Sequence, residues 1–191
     1  LISMLTDSVD QQLIEANPQL KLIANFAVGF NNIDIKTASK HKIPVAITTD
    51  VLSEASADLT LAMMLSLSRR LFEAEHFVRS SQFTGWTPSL FLGTDLHGKK
   101  LGILGMGRIG QAVAKRALGF SMQVKFVSQK SKCFDYAQQV DLETLLKESD
   151  YLSVHVPLHD STYHLIGERE FDLMKSSAFI INTSRGAVVN E

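Results

Sequence analysis

The chain has one cysteine, Cys133, in 191 residues. A lone thiol excludes an internal disulfide and fits a reducing compartment. With no histidine partner evident nearby, Cys133 reads as a passive thiol rather than a nucleophile. Long apolar runs are missing too: none approaches the roughly 20 residues needed to span a bilayer. No signal-peptide pattern is visible, so a cytoplasmic location is the default. Neither sign of charge is in excess: 19 Lys and Arg face 20 Asp and Glu, a net charge of −1. This gives no electrostatic reason to expect nucleic acid or a membrane surface as partner. What remains, 45% hydrophobic and 20% charged residues, is an ordinary soluble globular composition, enough for one large domain or two small ones.

The first 50 residues alternate short apolar runs with helix-compatible stretches. LISML (1–5), KLIANF (21–26) and IPVAIT (43–48) read as buried strands, with short helices over 8–16 and 35–40. That alternation predicts a parallel sheet covered by helices. Three strands are few for a doubly wound domain. The chain also opens on a strand-like run at Leu1 and ends at Glu191 soon after another apolar run, so it reads as a fragment of a longer protein. From Glu54 to about Ser80 a long helix is expected. Leu59, Ala62, Met63, Leu67 and Leu71 follow helical spacing, and Leu61, Met64, Leu65 and Phe72 widen the apolar face. It is either a core helix or one that also packs against a second subunit; periodicity does not separate the two. Residues 83–93 read as a loop.

From Lys100 a second alternation begins: strands at 101–104, 124–127, 151–156 and 178–182, and helices over 108–118, 142–148 and 168–174. The first strand runs into Gly105-Met106-Gly107-Arg108-Ile109-Gly110. A GxGxxG pattern alone is weak, but a strand before it and a helix after it are the setting in which it has meaning. The first glycine permits the turn, the second lets backbone approach a pyrophosphate, and the third lets helix pack on strand. Helix amides near Arg108 and Ile109 would then face the phosphates. An NAD site places an acid at the end of the next strand for the ribose 2′-hydroxyl. Here that strand ends in Ser128-Gln129-Lys130-Ser131-Lys132. No carboxylate would repel a 2′-phosphate there and two ammonium groups could pair with it, so NADP(H) is favoured over NAD(H). The usual phosphate clamp, however, is Arg.

Several stretches together resemble the D-isomer-specific 2-hydroxyacid dehydrogenase family. They are AVGFNNID (27–34), LHGKKLG (96–102), the glycine motif, HVPL (155–158) with LIG (165–167), and INTSRGAVVNE (181–191). The resemblance covers essentially the whole chain, and TPSLFLGTDLHGKKLGI looks most like the glyoxylate/hydroxypyruvate reductase branch. It implies an α/β fold with parallel sheets: part of a flavodoxin-like substrate domain over 1–53, and a Rossmann dinucleotide-binding domain over 54–191 that continues past Glu191. The helix from Glu54 would contribute to a homodimer. The implied activity is NAD(P)H-dependent reduction of a small 2-keto acid to a D-2-hydroxy acid by hydride transfer. A D-lactate or 3-phosphoglycerate dehydrogenase, or a dinucleotide-regulated corepressor, are the alternatives.

Carried over residue by residue, the resemblance puts Val28 and Gly29 in a loop whose amides hold the substrate carboxylate. Arg185 follows the strand AFIIN at the carboxyl edge of a parallel sheet, where ligands of open α/β folds bind, and a guanidinium there can grip carboxylate and carbonyl together. Val156, Pro157 and Thr162 correspond to positions near the adenosine half of the cofactor, while Thr183 and Ser184 lie toward the nicotinamide; Ser128, Gln129 and Lys130, from the strand-end reading above, and Arg185 complete the cofactor-side candidates. His155 reads as a structural or adenine-side histidine, and His159 and His164 as solvated loop residues. The family's proton donor, a histidine oriented by a glutamate, matches no position here, so these 191 residues alone are not expected to be an effective reductase.

Overall fold

The apolar runs become parallel strands throughout. The computed structural model describes all 191 residues, in two units, Leu1–Leu52 and Ser53–Glu191.

In the first unit three short strands, β1 (Ile2–Ser3), β2 (Ile23–Asn25) and β3 (Val45–Ile47), pair in the order β1-β2-β3, all parallel. Helices α1 (Gln11–Glu15) and α2 (Ile35–Lys40) connect them. Each helix is started by an aspartate, because Asp10 and Asp34 accept the amides of Leu13 and Thr37. Val9, Ile14, Ile23, Ile33, Ala38 and Ile43 form the core between helices and sheet.

The second unit carries a five-stranded parallel sheet. Its strands are β4 (Lys100–Leu104), β5 (Gln123–Val127), β6 (Gln138–Gln139), β7 (Tyr151–Val154) and β8 (Phe179–Asn182), in the order β6-β5-β4-β7-β8. Counted within this unit that is 3-2-1-4-5, a Rossmann order whose direction of winding reverses between β4 and β7. Side chains alternate across the sheet. Leu101, Ile103, Val124 and Phe126 meet α5 (Arg108–Leu118) on one face, while Leu104, Leu152 and Val154 meet α6 (Leu142–Glu148) on the other. A short helix α7 (Glu168–Leu173) precedes β8, and a 3₁₀ turn, Gly186–Val188, follows it. The two-residue β6 and the 3₁₀ turn are too short to leave a periodic signal.

The long helix expected over 54–80 is two helices, α3 (Ser53–Ser68) and α4 (Leu71–Arg79). The break is imposed by chain that returns later. The Thr94 amide takes the Ser68 carbonyl at 2.8 Å, and Gly93 lies so close that a β-carbon there would stand 2.1 Å from that oxygen. Arg70 then adopts the left-handed conformation (φ 53°), held by its ion pair with Glu73. The apolar residues of this segment divide between two faces. Leu59, Met63, Leu67 and Leu71 are exposed, while Ala57, Thr60, Leu61, Met64 and Ser68 are buried. Small residues let α3 approach α5, and an apolar count does not see Thr60 or Ser68.

Charge ties α6 to two neighbouring strands. Glu148, at the end of α6, pairs with Lys100 of β4 at 2.8 Å and Lys125 of β5 at 2.9 Å. These two hydrogen-bonded ammonium groups hold its carboxyl down at about 2, against an ordinary 4.5. A carboxylate held below its unfolded value stabilises the fold above that value, and the contribution is lost as pH falls toward 2. The melting-temperature lead of wild type over Glu148→Gln is therefore expected to hold steady above about pH 5 and to close as the pH falls from there. Calorimetry across that range checks it; a lead independent of pH would assign the effect to packing.

Candidate dinucleotide site

The carboxyl ends of β4, β5 and β7 surround a pocket of about 420 Å³. It lies at the crevice where the strand order reverses, the place where open α/β sheets bind ligands. Each glycine of the turn that follows β4 has a different reason to be there. Gly105 has φ +102°, and a β-carbon on it would meet the His155 carbonyl at 2.8 Å. At Gly110 a β-carbon would stand 2.3 Å from the Gly105 carbonyl, so α5 sits on the turn only because that side chain is absent. At Gly107 a β-carbon would touch nothing within 4 Å. Space is therefore kept where a ligand would approach, and the other two glycines serve the fold.

Gly107 is also the N-cap of α5 and offers no side chain to the helix. The first turn of α5, with the amides of Arg108, Ile109 and Gly110, lies at the positive end of the helix dipole. This suits a pyrophosphate.

The loop after β5 forms the next wall. Ser128, Gln129, Lys130 and Lys132 line the pocket. Gln139 of β6 braces that loop: its amide nitrogen donates to Ser128 O at 3.0 Å, and its oxygen accepts the Lys132 amide at 2.8 Å. The Lys132 ammonium reaches Met106 O in the glycine turn at 2.5 Å. No lining residue is acidic. Lys132 is thus nearer the turn than sequence spacing alone places it, because β6 folds the loop back.

Val156, Pro157 and Thr162 close the far side, together with His155, His159 and Leu165. Thr162 is buried, and its hydroxyl donates to Pro157 O at 2.6 Å while accepting the His159 amide at 2.9 Å. It shapes the 157–162 loop rather than offering a free hydroxyl. His159 is an exposed loop residue, as expected, and also lines the pocket wall. Burial pushes the His155 imidazole down to about 4.

Thr183, Ser184 and Arg185 lie at the end of β8, outside this lining but tied to it, since Thr183 Oγ1 stands 3.4 Å from His155 Nδ1. Asn182 organises the run. Its side-chain oxygen accepts the Ser184 amide (3.0 Å) and hydroxyl (2.7 Å), and its nitrogen donates to Arg185 O at 2.8 Å. The half-buried Arg185 guanidinium donates to Ser184 O at 2.9 Å. Asn182 was passed over in the sequence because its side chain meets only backbone and its immediate neighbours. Its place between a strand and Thr-Ser-Arg is the available signal.

Val28 and Gly29 belong to the first unit, in the loop after β2. Asn25 and Asn32 fix that loop: Asn25 donates to Gly29 O at 2.8 Å, and Asn32 to Met4 O and Asp7 O, each at 2.9 Å. No cluster of three or more His, Cys, Asp or Glu residues could hold a metal ion. No helix is long and apolar enough to cross a membrane.

Comparison with known proteins agrees with this geometry. The chain is 52% identical over 198 residues to a glyoxylate reductase of Thermococcus litoralis, covering all of this chain and 60% of that one. It is 45% identical to a glyoxylate reductase of Korarchaeum cryptofilum, covering all of this chain and 59% of that one. The chain thus spans about 60% of the length of these curated relatives. Among solved structures, a D-lactate dehydrogenase from Aquifex aeolicus complexed with NAD and lactic acid superposes with a TM-score of 0.92 at 36% identity, covering 99% of this chain and 57% of that one. Residues 61–191 match the NAD-binding domain of D-isomer specific 2-hydroxyacid dehydrogenases. With the strand order, the three glycines and Arg185 behind β8, this match places the chain in the D-isomer-specific 2-hydroxyacid dehydrogenase family.

Proposed function

We propose that the protein reduces a small 2-keto acid, glyoxylate or hydroxypyruvate, to the D-2-hydroxy acid with a nicotinamide dinucleotide. The observation that carries the reading is the open space at Gly107 above a pocket whose walls come from three strand ends. The likeness to the Thermococcus litoralis glyoxylate reductase supports the choice of substrate. The dinucleotide supplies the hydride when bound. Gly105, Gly107 and the first turn of α5 hold its phosphates, Val156 and Pro157 form an apolar wall, and Thr183 and Ser184 stand toward the nicotinamide. Arg185 grips the carboxylate and stabilises negative charge growing on the keto oxygen, and in the first unit the loop of Val28 and Gly29 offers its amides to substrate. His155 does not serve as proton donor, since an imidazole held near 4 is neutral at pH 7. Residues 1–191 therefore bind and orient, and the proton comes from a group outside them.

Two finer features belong to the same proposal. The dinucleotide is NADP(H), because the ribose end of the pocket has Ser128, Gln129 and the ammonium groups of Lys130 and Lys132 and no carboxylate. The intact protein is a cytoplasmic homodimer that covers the exposed stripe Leu59, Met63, Leu67 and Leu71.

Three measurements check these statements. Gly107→Ala is expected to leave stability within about 0.5 kcal/mol yet weaken NADPH binding by at least about tenfold, since the pyrophosphate needs bare backbone there. Gly110→Ala destabilises the fold itself by about 1–3 kcal/mol, as overpacking does. Titration calorimetry and thermal melts on both variants separate the two roles; equal NADPH affinity in Gly107→Ala removes the pyrophosphate from that turn. In a second series, Lys130→Gln combined with Lys132→Gln lowers NADPH affinity about tenfold, the scale of a charge-assisted contact, and leaves NADH affinity nearly unchanged. Parallel losses for both dinucleotides would make the lysines general phosphate contacts. Finally, Arg185→Gln is expected to weaken oxamate binding to the NADPH-loaded protein by about tenfold to a hundredfold, with a smaller effect on NADPH. Undiminished oxamate binding would move the carboxylate elsewhere.

A further inference from the structure

A line of side-chain hydrogen bonds runs from β7 past the end of β8 into α3. Ser153 Oγ lies 2.7 Å from His155 Nε2, and His155 Nδ1 lies 3.4 Å from Thr183 Oγ1. Thr183 Oγ1 lies 3.2 Å from Thr60 Oγ1, which lies 2.9 Å from Ser56 O. Ser153 and Thr60 are fully buried, so their partners must come from the protein.

Counting protons gives the line a direction. The Ser56 carbonyl can only accept, so Thr60 donates to it. Thr60 has no second proton, so the contact with Thr183 is donated by Thr183. Thr183 is then left with lone pairs toward His155, and the proton between them belongs to Nδ1. Nε2 keeps its lone pair and accepts from Ser153. A free neutral histidine side chain prefers the opposite arrangement, with the proton on Nε2, so the surroundings select the minor form. The low imidazole value keeps the ring neutral near pH 7, in agreement with one proton rather than two.

The ring is also tied to the rest of the site. The His155 amide donates to Leu104 O at 2.8 Å, and its carbonyl is the group against which Gly105 packs. On its other side Thr183 begins the run that Asn182 fixes at Ser184 and Arg185. We propose that His155 is a positioning residue, held with its proton on Nδ1, which fixes the Thr183 hydroxyl and through it the Thr183-Ser184-Arg185 run at the end of β8. The positioning role rests on the reading above that this run faces nicotinamide and substrate; the proton placement does not.

The test is a long-range ¹H–¹⁵N correlation spectrum of the ¹⁵N-labelled chain near pH 7, with the His155 signals assigned by their loss in His155→Gln. The expected result is a protonated-type shift for Nδ1 and an unprotonated-type shift for Nε2. The opposite pattern in wild type overturns the proposal, whatever the variants do. Thr60→Val supplies a second arm, because Thr60 does not touch His155. Removing it frees the Thr183 proton to turn toward Nδ1, so the ring is expected to move its own proton to Nε2, with Ser153 now accepting. NADPH affinity should fall about threefold to tenfold with it, the range for one neutral hydrogen bond. An unmoved tautomer in folded Thr60→Val breaks the relay. A moved tautomer with unchanged NADPH affinity overturns the positioning role. Failure of wild type to bind NADPH at all, with the Nδ1 proton in place, would instead overturn the reading of the pocket.

Discussion

The seat of α5 on the glycine turn is the constraint on which the site depends. A helix that starts directly after a strand must bring its first turn within contact of the strand's last carbonyl groups. Here that approach leaves no room for a β-carbon at Gly110. Because α5 is seated there, the positive end of its dipole lies beside the glycine turn that lines the pocket. Because Gly105 turns with positive φ against the His155 carbonyl, the turn and the end of β7 share one wall. The pocket follows from these two close approaches, and the loops after β5 and β7 only complete it.

Polar order in the remainder of the site comes from side chains that bond to backbone. Gln139 braces the loop after β5, Thr162 the loop after β7, and Asn182 the run after β8. Asn25 and Asn32 do the same for the loop after β2 in the other unit. Each loop carries residues proposed to meet ligand, and for the loops after β2, β5 and β8 the brace is a residue that is not among them. The ligand-facing groups can thus be held in place without spending their own hydrogen-bonding capacity on the loop.

Much of this was legible in the sequence. The helices over 35–40, 108–118 and 142–148 were readable to the residue, because each has a polar or glycine cap and an apolar face of clear period. The parallel α/β architecture followed from the alternation, and the turn from its setting between strand and helix. The failures have physical causes. A break at Arg70 is dictated by Gly93 and Thr94, more than twenty residues away, and no local pattern announces it. The buried face of α3 mixes Ala57 and Thr60 with Leu61 and Met64 while Leu59, Met63 and Leu67 are exposed, so a periodicity count does not separate the two faces. His155 and Lys132 were undervalued because their importance lies in what β8 and β6 bring beside them. Asn182 and Gln139 illustrate the general limit: a side chain bonded to backbone two to eleven residues off leaves no mark on composition or period.

The brace from β6 has a consequence for how this site can vary. Gln139 grips the loop at its Ser128 and Lys132 backbone and makes no demand on the side chains at 128, 129 and 130. Those three positions can therefore be exchanged while the loop keeps its path. If these positions meet the ribose as proposed, dinucleotide preference is a separable module, able to drift between the two nicotinamide cofactors while the turn, the helix seat and the arginine behind β8 stay untouched.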